Sequence, residues 1–199
     1  MKDELFEFHK HAIMGDINGN PLCSDYKAAW RACGDNKEML VRLALQQQSQ
    51  PYFSTACYRN LGLTKKYILE NFGEYINGKK VFEDVEGVSG YTYSLYVGFE
   101  DVFSASTDVL ACMWCNCPQL TIEASKCPVL YISNYSDIHM CLDGYNSPRI
   151  YLFDESKIII DDADDTCDII VYKYSNKAEV ELGKYCLGNV KIFNKQLKL

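Results

Sequence analysis

The most chemical stretch of this 199-residue sequence is Cys112-Met-Trp-Cys115-Asn-Cys117, with Cys127 ten residues beyond Cys117. Zinc takes four thiolate or imidazole ligands in a tetrahedron, and a C-x-x-C pair supplies half of one. The other half is poorly supplied, because in a continuously extended segment Cys112 points to the face opposite Cys115 and Cys117. The ten-residue spacing of Cys117 and Cys127 suits stacked core thiols, so packing is favoured over metal binding. Asp161, Asp162, Asp164 and Asp165, with Asp168 nearby, form a second cluster. Several carboxylates in a short loop suit a hard cation such as calcium, but the glycine and closing glutamate of an EF-hand loop are missing. The plainer expectation is a solvated, self-repelling corner with a local bulge. No cofactor is expected.

Leu61-Gly62-Leu63-Thr64 resembles the turn of a helix-turn-helix, with Lys65, Lys66 and Tyr67 opening a would-be recognition helix. Glu70 and Glu74 follow on that helix, so an ordinary helical hairpin is favoured over sequence-specific DNA binding. The three histidines, His9, His11 and His139, sit in no nucleophile motif, and no G-x-S-x-G or phosphate-cradling glycine loop is present. Fifteen tyrosines remain. Of these, Tyr131, Tyr151, Tyr172 and Tyr174 fall on strands, where an aromatic row binds a protein or sugar or stabilises the sheet by cross-strand packing.

These side chains need a scaffold, and composition bounds it. At 48% hydrophobic residues the chain can bury a real core. The mixed charges of Met1 to Lys10 do not make a secretory signal, and no stretch approaches the about 18 apolar residues of a membrane span. A soluble protein of a bacterial cytoplasm or a virion is expected. The ten cysteines are then expected to be reduced core thiols rather than a disulfide framework. Residues 1–80 hold 11 Lys and Arg against 9 Asp and Glu, whereas the remaining 119 hold 9 against 18. So acidic a C-terminal part repels phosphate backbones, and nucleic acid is not an expected partner there.

Residues 1–78 carry helical periodicity. Helices are expected over 2–14, from Ser24 to Gly34, over 37–47 with Asp35 as N-cap and Glu38 completing a capping box, over 51–61, and from an N-cap at Thr64 to the Asn77-Gly78 stop. From residue 79 the rhythm becomes that of strands. From about residue 118 an apolar-x-apolar motif recurs every ten residues: Leu120/Ile122, Leu130/Ile132, Met140/Leu142, Ile150/Leu152, Ile158/Ile160, Ile170/Tyr172, Val180/Leu182 and Val190/Ile192. Only the fifth copy is out of step, by two residues. A strand of three to five residues spans about 10–17 Å and is unstable alone, so the units must stack. Asp143-Gly144 is the one tight-hairpin dipeptide from residue 118 onward, which favours a parallel β-solenoid with two or three units per coil over an antiparallel β-sandwich or barrel. The expected class is α+β: a helical head, 1–78, followed by a short-repeat β-solenoid within 79–199.

The run Arg149-Ile-Tyr-Leu-Phe-Asp-Glu-Ser-Lys-Ile-Ile-Ile-Asp-Asp resembles the "x-V-x-A-x-D-x-S-x-V" units of short-repeat β-solenoid proteins of bacteriophages, prophages and gut bacteria. Several of these also open with a small helical segment similar to Leu61-Gly-Leu-Thr-Lys-Lys-Tyr-Ile-Leu-Glu-Asn-Phe-Gly-Glu-Tyr-Ile-Asn-Gly-Lys. The resemblance implies a head-plus-solenoid architecture and a mobile-element origin, and it transfers no catalytic residue. The expected role is a non-enzymatic structural or binding protein that presents a rigid surface to a protein or glycan partner. Open strand edges must be capped by the head at one end and by a terminal segment or a second protomer at the other, which makes homo-oligomerisation through residues 193–199 an expectation. A carbohydrate-active hydrolase and a DNA-binding regulator are the alternatives.

Overall fold

A computed structural model describes residues 24–46, 49–59, 63–83, 90–123, 128–144 and 146–195. The helix expected over 2–14, with His9 and His11, lies outside the described residues, as do Cys23, Cys127 and Tyr145.

Four helices form the described head: α1 (Ser24–Cys33), α2 (Lys37–Leu45), α3 (Gln50–Tyr58) and α4 (Lys65–Phe72). The N-cap of α2 is Asn36 rather than Asp35: its side chain accepts from the Met39 N–H at 3.1 Å. The third helical position is therefore Met39, and Glu38 completes no capping box. The N-cap of α4 is Thr64, as expected, accepting from the Tyr67 N–H at 3.2 Å. Helices α2, α3 and α4 end earlier than the periodicity suggests, at Leu45, Tyr58 and Phe72.

The remainder is a flattened parallel β-solenoid. Its strands are β1 (Phe82–Glu83), β2 (Thr92–Val97), β3 (Phe103–Ala105), β4 (Val109–Met113), β5 (Asn116–Ile122) and β6 (Val129–Ser133). They continue with β7 (Asp137–Leu142), β8 (Arg149–Leu152), β9 (Lys157–Ala163), β10 (Asp168–Lys173), β11 (Glu179–Cys186) and β12 (Asn189–Asn194). One sheet orders them β1-β2-β4-β6-β8-β10-β12 and the other β11-β9-β7-β5-β3, so each coil gives one strand to each sheet. Every pairing is parallel except β1 with β2, which excludes the antiparallel sandwich or barrel.

Two ten-residue units make one coil. Leu110, Leu130, Ile150, Val171 and Ile192 are cross-strand partners in turn, and on the other sheet so are Leu120, Met140, Ile160 and Leu182. As far as Val171 and Ile160 these rows interdigitate between the sheets as a dry core, each fully buried Leu or Ile contributing about 1.5–3 kcal/mol. The register corrects two sequence expectations. The inward pair of β10 is Ile169/Val171, both fully buried, while Ile170 and Tyr172 face outward. The fifth copy is not out of step either, because Ile158 and Ile160 pair with Ile138 and Met140 of a strand with three inward residues. The irregularity falls one residue later, where Met140 faces Ile160 but Cys141 faces Asp162, so Asp161 is a bulge. On the next strand Gly183 lies opposite that bulge, where a Cβ would stand 2.7 Å from the Asp161 backbone.

The head lies against the outer face of the first coils rather than over the end of the stack. Trp30, Leu40, Leu43, Phe53, Ile68 and Phe72 share a core with Leu95, Val97, Val109, Ala111, Met113 and Tyr131 of the first sheet. Strand β4 is consequently buried on both faces, which explains its uninterrupted apolar run Val109-Leu-Ala-Cys-Met113. The free edge of β2 is closed by β1 and by Asn77. The Asn77 N–H donates to Leu95 O at 2.8 Å, its amide donates to Val97 O at 3.1 Å, and its Oδ1 accepts from Val97 N–H at 2.7 Å.

Candidate functional site

The cysteine cluster is part of the scaffold. Trp114, with φ of 52°, turns the chain between β4 and β5, so Cys112, Cys115 and Cys117 all face the solenoid interior. The parity argument that sent Cys112 to the opposite face fails because the segment is not continuously extended. The partner of Cys117 one coil on is Ile138, not Cys127, because a coil holds two units.

Cys115 occupies a recurring corner position. Its thiol donates to Tyr96 O of the preceding coil at 3.4 Å and to Met113 O of its own corner at 3.5 Å. One coil on, Ser136 donates to Cys112 O at 3.2 Å and Ser133 O at 2.6 Å. After another coil Ser156 donates to Ile132 O at 3.1 Å and Phe153 O at 2.7 Å. The row thus ties each corner to the coil before it, and Cys115 serves as its first hydroxyl-like donor. The side-chain hydrogen bond between Cys112 and Cys115 pushes the first thiol up and the second down. Among the described residues no group of three or more His, Cys, Asp or Glu side chains is arranged to hold a metal ion.

The aspartates divide. Asp161 and Asp162 lie in β9, and Asp164 and Asp165 in the turn after it. Asp143, Asp162, Asp164 and Asp165 line an open recess of about 470 Å³ with Leu142, Gly144 and Leu187. The Thr166 N–H and hydroxyl donate to Asp164 at 3.0 and 3.1 Å and hold its carboxyl below the ordinary range. Hydrogen bonding to Asp164 and its charge hold Asp165 above that range. Glycoside hydrolysis uses two carboxyls about 5–10 Å apart across a bound sugar. Asp164 and Asp165 are in hydrogen-bond contact and fully in solvent, which suits neither geometry.

Sequence reasoning missed a pair on the outer face of β7 and β9, where His139 Nδ1 stands 2.8 Å from Asp161 Oδ2. The coil register places them together, and the bulge aims the carboxylate. Cys141 lies near them, but burial and then Asp161 push its thiol up, the opposite of an activated nucleophile.

Lys65, Lys66 and Tyr67 open α4 as expected. The Lys65 side chain packs against Gly98, Lys66 pairs with Glu70 at 3.8 Å, and Tyr67 packs on the head core with its ring 6.3 Å from Phe72.

The tyrosines form ladders. Tyr131, Tyr151, Tyr172 and Phe193 are cross-strand partners in turn, with centroids 5.0, 5.2 and 5.7 Å apart and rings within 27° of parallel. Phe153 and Tyr174 form a second stack, 5.2 Å apart at 9°. Sugar recognition needs exposed ring faces, and within the ladder the faces are turned to one another with edges outward, leaving only the terminal ring, Phe193, with a face that no ring covers among the described residues. The head covers Tyr131, while the Lys195 ammonium lies 5.6 Å from the Tyr172 ring centre and 6.0 Å from that of Phe193.

The open end of the stack gathers a group of exposed apolar side chains that nothing covers among the described residues. Strands β11 and β12 are the outermost of their sheets, each paired on one side only. Their inward rows continue the core but meet solvent: Leu182 is 53% exposed and Ile192 45%, next to Leu187 at 70% and Phe193 at 43%. The outer rows differ in charge. β11 presents Glu179 and Glu181, the latter 2.9 Å from Lys157, while β12 presents Lys191 and is followed by Lys195. Parallel edges with free N–H and C=O groups beside exposed Leu and Ile template further strands. No helix among the described residues is long and apolar enough to cross a membrane. No family model, curated protein or solved structure matches the chain.

Proposed function

We propose that this chain is a non-catalytic structural or binding protein, of the phage or prophage type that its repeats resemble, whose working surface is the open end formed by β11 and β12. The observation that carries this reading is the exposure of Leu182 and Ile192, residues of the same rows that are dry core in earlier coils. At the opposite end β1 and Asn77 close the edge of β2, while β3 is paired with β5 alone, so the two ends are treated unequally. A protein strand supplies what this end lacks, namely backbone donors and acceptors and a layer of apolar side chains. A glycan fits less well, because the aromatic rings are stacked on one another.

Carbene footprinting of the dilute protein tests this. Labelling is expected to concentrate on Leu182, Leu187, Ile192 and Phe193 and to spare Leu130, Ile150 and Ile160. Absence of labelling on the four end residues would overturn the reading, since the end would then already be covered.

A further inference from the structure

The proposed docking end carries both halves of its own complement, and from this we infer that its partner is a second copy of the chain, joined end to end about a two-fold axis. The inference rests on the open-end reading and adds the identity of the occupant.

Consider the last coil. The chain reverses between β11 and β12 at Leu187-Gly188, so the two edge strands run in opposite directions on opposite sheets. A two-fold axis perpendicular to the stack and parallel to these strands carries β12 of one copy beneath β11 of the other, and the reverse. The new pairs are antiparallel, and outer faces stay outer faces. Both sheets then continue through the junction with no free edge, and the exposed Leu182, Ile192 and Leu187 of each copy close on those of the other. A two-fold interface must be self-complementary. This one is, because the axis keeps each residue's place along the strands and so sets Glu179 and Glu181, at the start of β11, alongside Lys195, at the end of β12 from its mate, twice; only Lys191, level with Lys184, meets its own sign. The other two-fold choice, pairing β12 with β12, would set Lys191 and Lys195 against their own copies, and like charges directly opposite repel.

Sedimentation equilibrium of three proteins tests the pairing: the wild type, E179K/E181K and K195E. The wild type is expected to dimerise reversibly, more weakly as salt is raised. Each variant is expected to dimerise at least about tenfold more weakly, because each then sets like charges against one another where residues 179 and 181 meet residue 195. An equimolar mixture of the two variants should regain dimerisation, since Lys again meets Glu at both of these contacts. A wild type monomeric at all concentrations would overturn the second-copy inference. If the end residues are still labelled by carbene in that monomer, the open-end reading survives; if they are not, both fall. Dimers unchanged in the variants, or not regained on mixing, would refute the β11-to-β12 pairing. Charge-reversed proteins that lose native circular dichroism are replaced by E179Q/E181Q and K195Q, for which weaker dimerisation is expected and unchanged dimerisation counts against the pairing.

Discussion

Replacing Asp154 by Asn should stabilise the protein at neutral pH and leave it unchanged in acid. Asp154 sits at the corner between β8 and β9, beside the buried seam where Ser54 of α3 meets Ser133 and Asn134. Burial pushes its carboxyl from 3.8 to about 6, only partly opposed by the Asn134 N–H and by Arg59. An acid whose folded value is raised binds its proton more tightly when folded. Its contribution to stability is therefore fully present below pH 3.8, declines as pH rises, and is lost above about 6. At about 1.4 kcal/mol per unit the ionised side chain costs at most about 3 kcal/mol at pH 7, and its residual exposure to water brings the expectation to about 1–2 kcal/mol. Asn removes the charge, keeps an acceptor for the Asn134 N–H, and tolerates the left-handed backbone at this position, where φ is 58°. Urea unfolding at intervals from pH 4 to pH 8 reads the effect. The variant and the wild type should coincide near pH 4, and the variant should be more stable by about 1–2 kcal/mol at pH 7. A variant equally or less stable at pH 7 would refute the claim that the ionised carboxyl is held against its preference.

Cys115→Ser should lie within about 1 kcal/mol of the wild type in urea unfolding, since Ser136 and Ser156 do the same task in the next two coils. Cys115→Val, isosteric but unable to donate, should cost more than the serine variant, and equal costs would contradict a donor role. Leu130→Ala, in the middle of the fully buried row, should lose about 3 kcal/mol by the same assay. A loss below about 1 kcal/mol would mean the row is not close-packed.

The solenoid was legible because an inward row has to repeat at the coil length, and the motif residues from Leu120 to Leu152 are indeed inward. Phase failed where the run itself is ambiguous: Ile169-Ile-Val-Tyr172 is apolar at consecutive positions, so parity alone cannot choose its inward face. The seeming slip at Ile158 has the same origin, because β7 presents three inward residues and β9 shares only two of its phases before the Asp161 bulge. The orientation of the cysteines was hidden by a corner at Trp114, a residue that gives no turn signal. The role of Cys115 was within reach, since 115, 136 and 156 recur at the coil length once two units per coil are recognised. The position of the head was legible only in the unbroken run of β4, which asks for cover on both faces.

Hydrogen–deuterium exchange on the dilute chain tests the central claim most directly, because a stack of parallel coils whose last coil is uncovered must show a gradient. Amides of β6 to β9 should be protected by several orders of magnitude, and those of β11 and β12 that point away from β9 and β10 should exchange near the rate of free peptide. Protection that stays uniform through Asn194 in the monomer, or fast exchange within β6 to β9, would contradict the account.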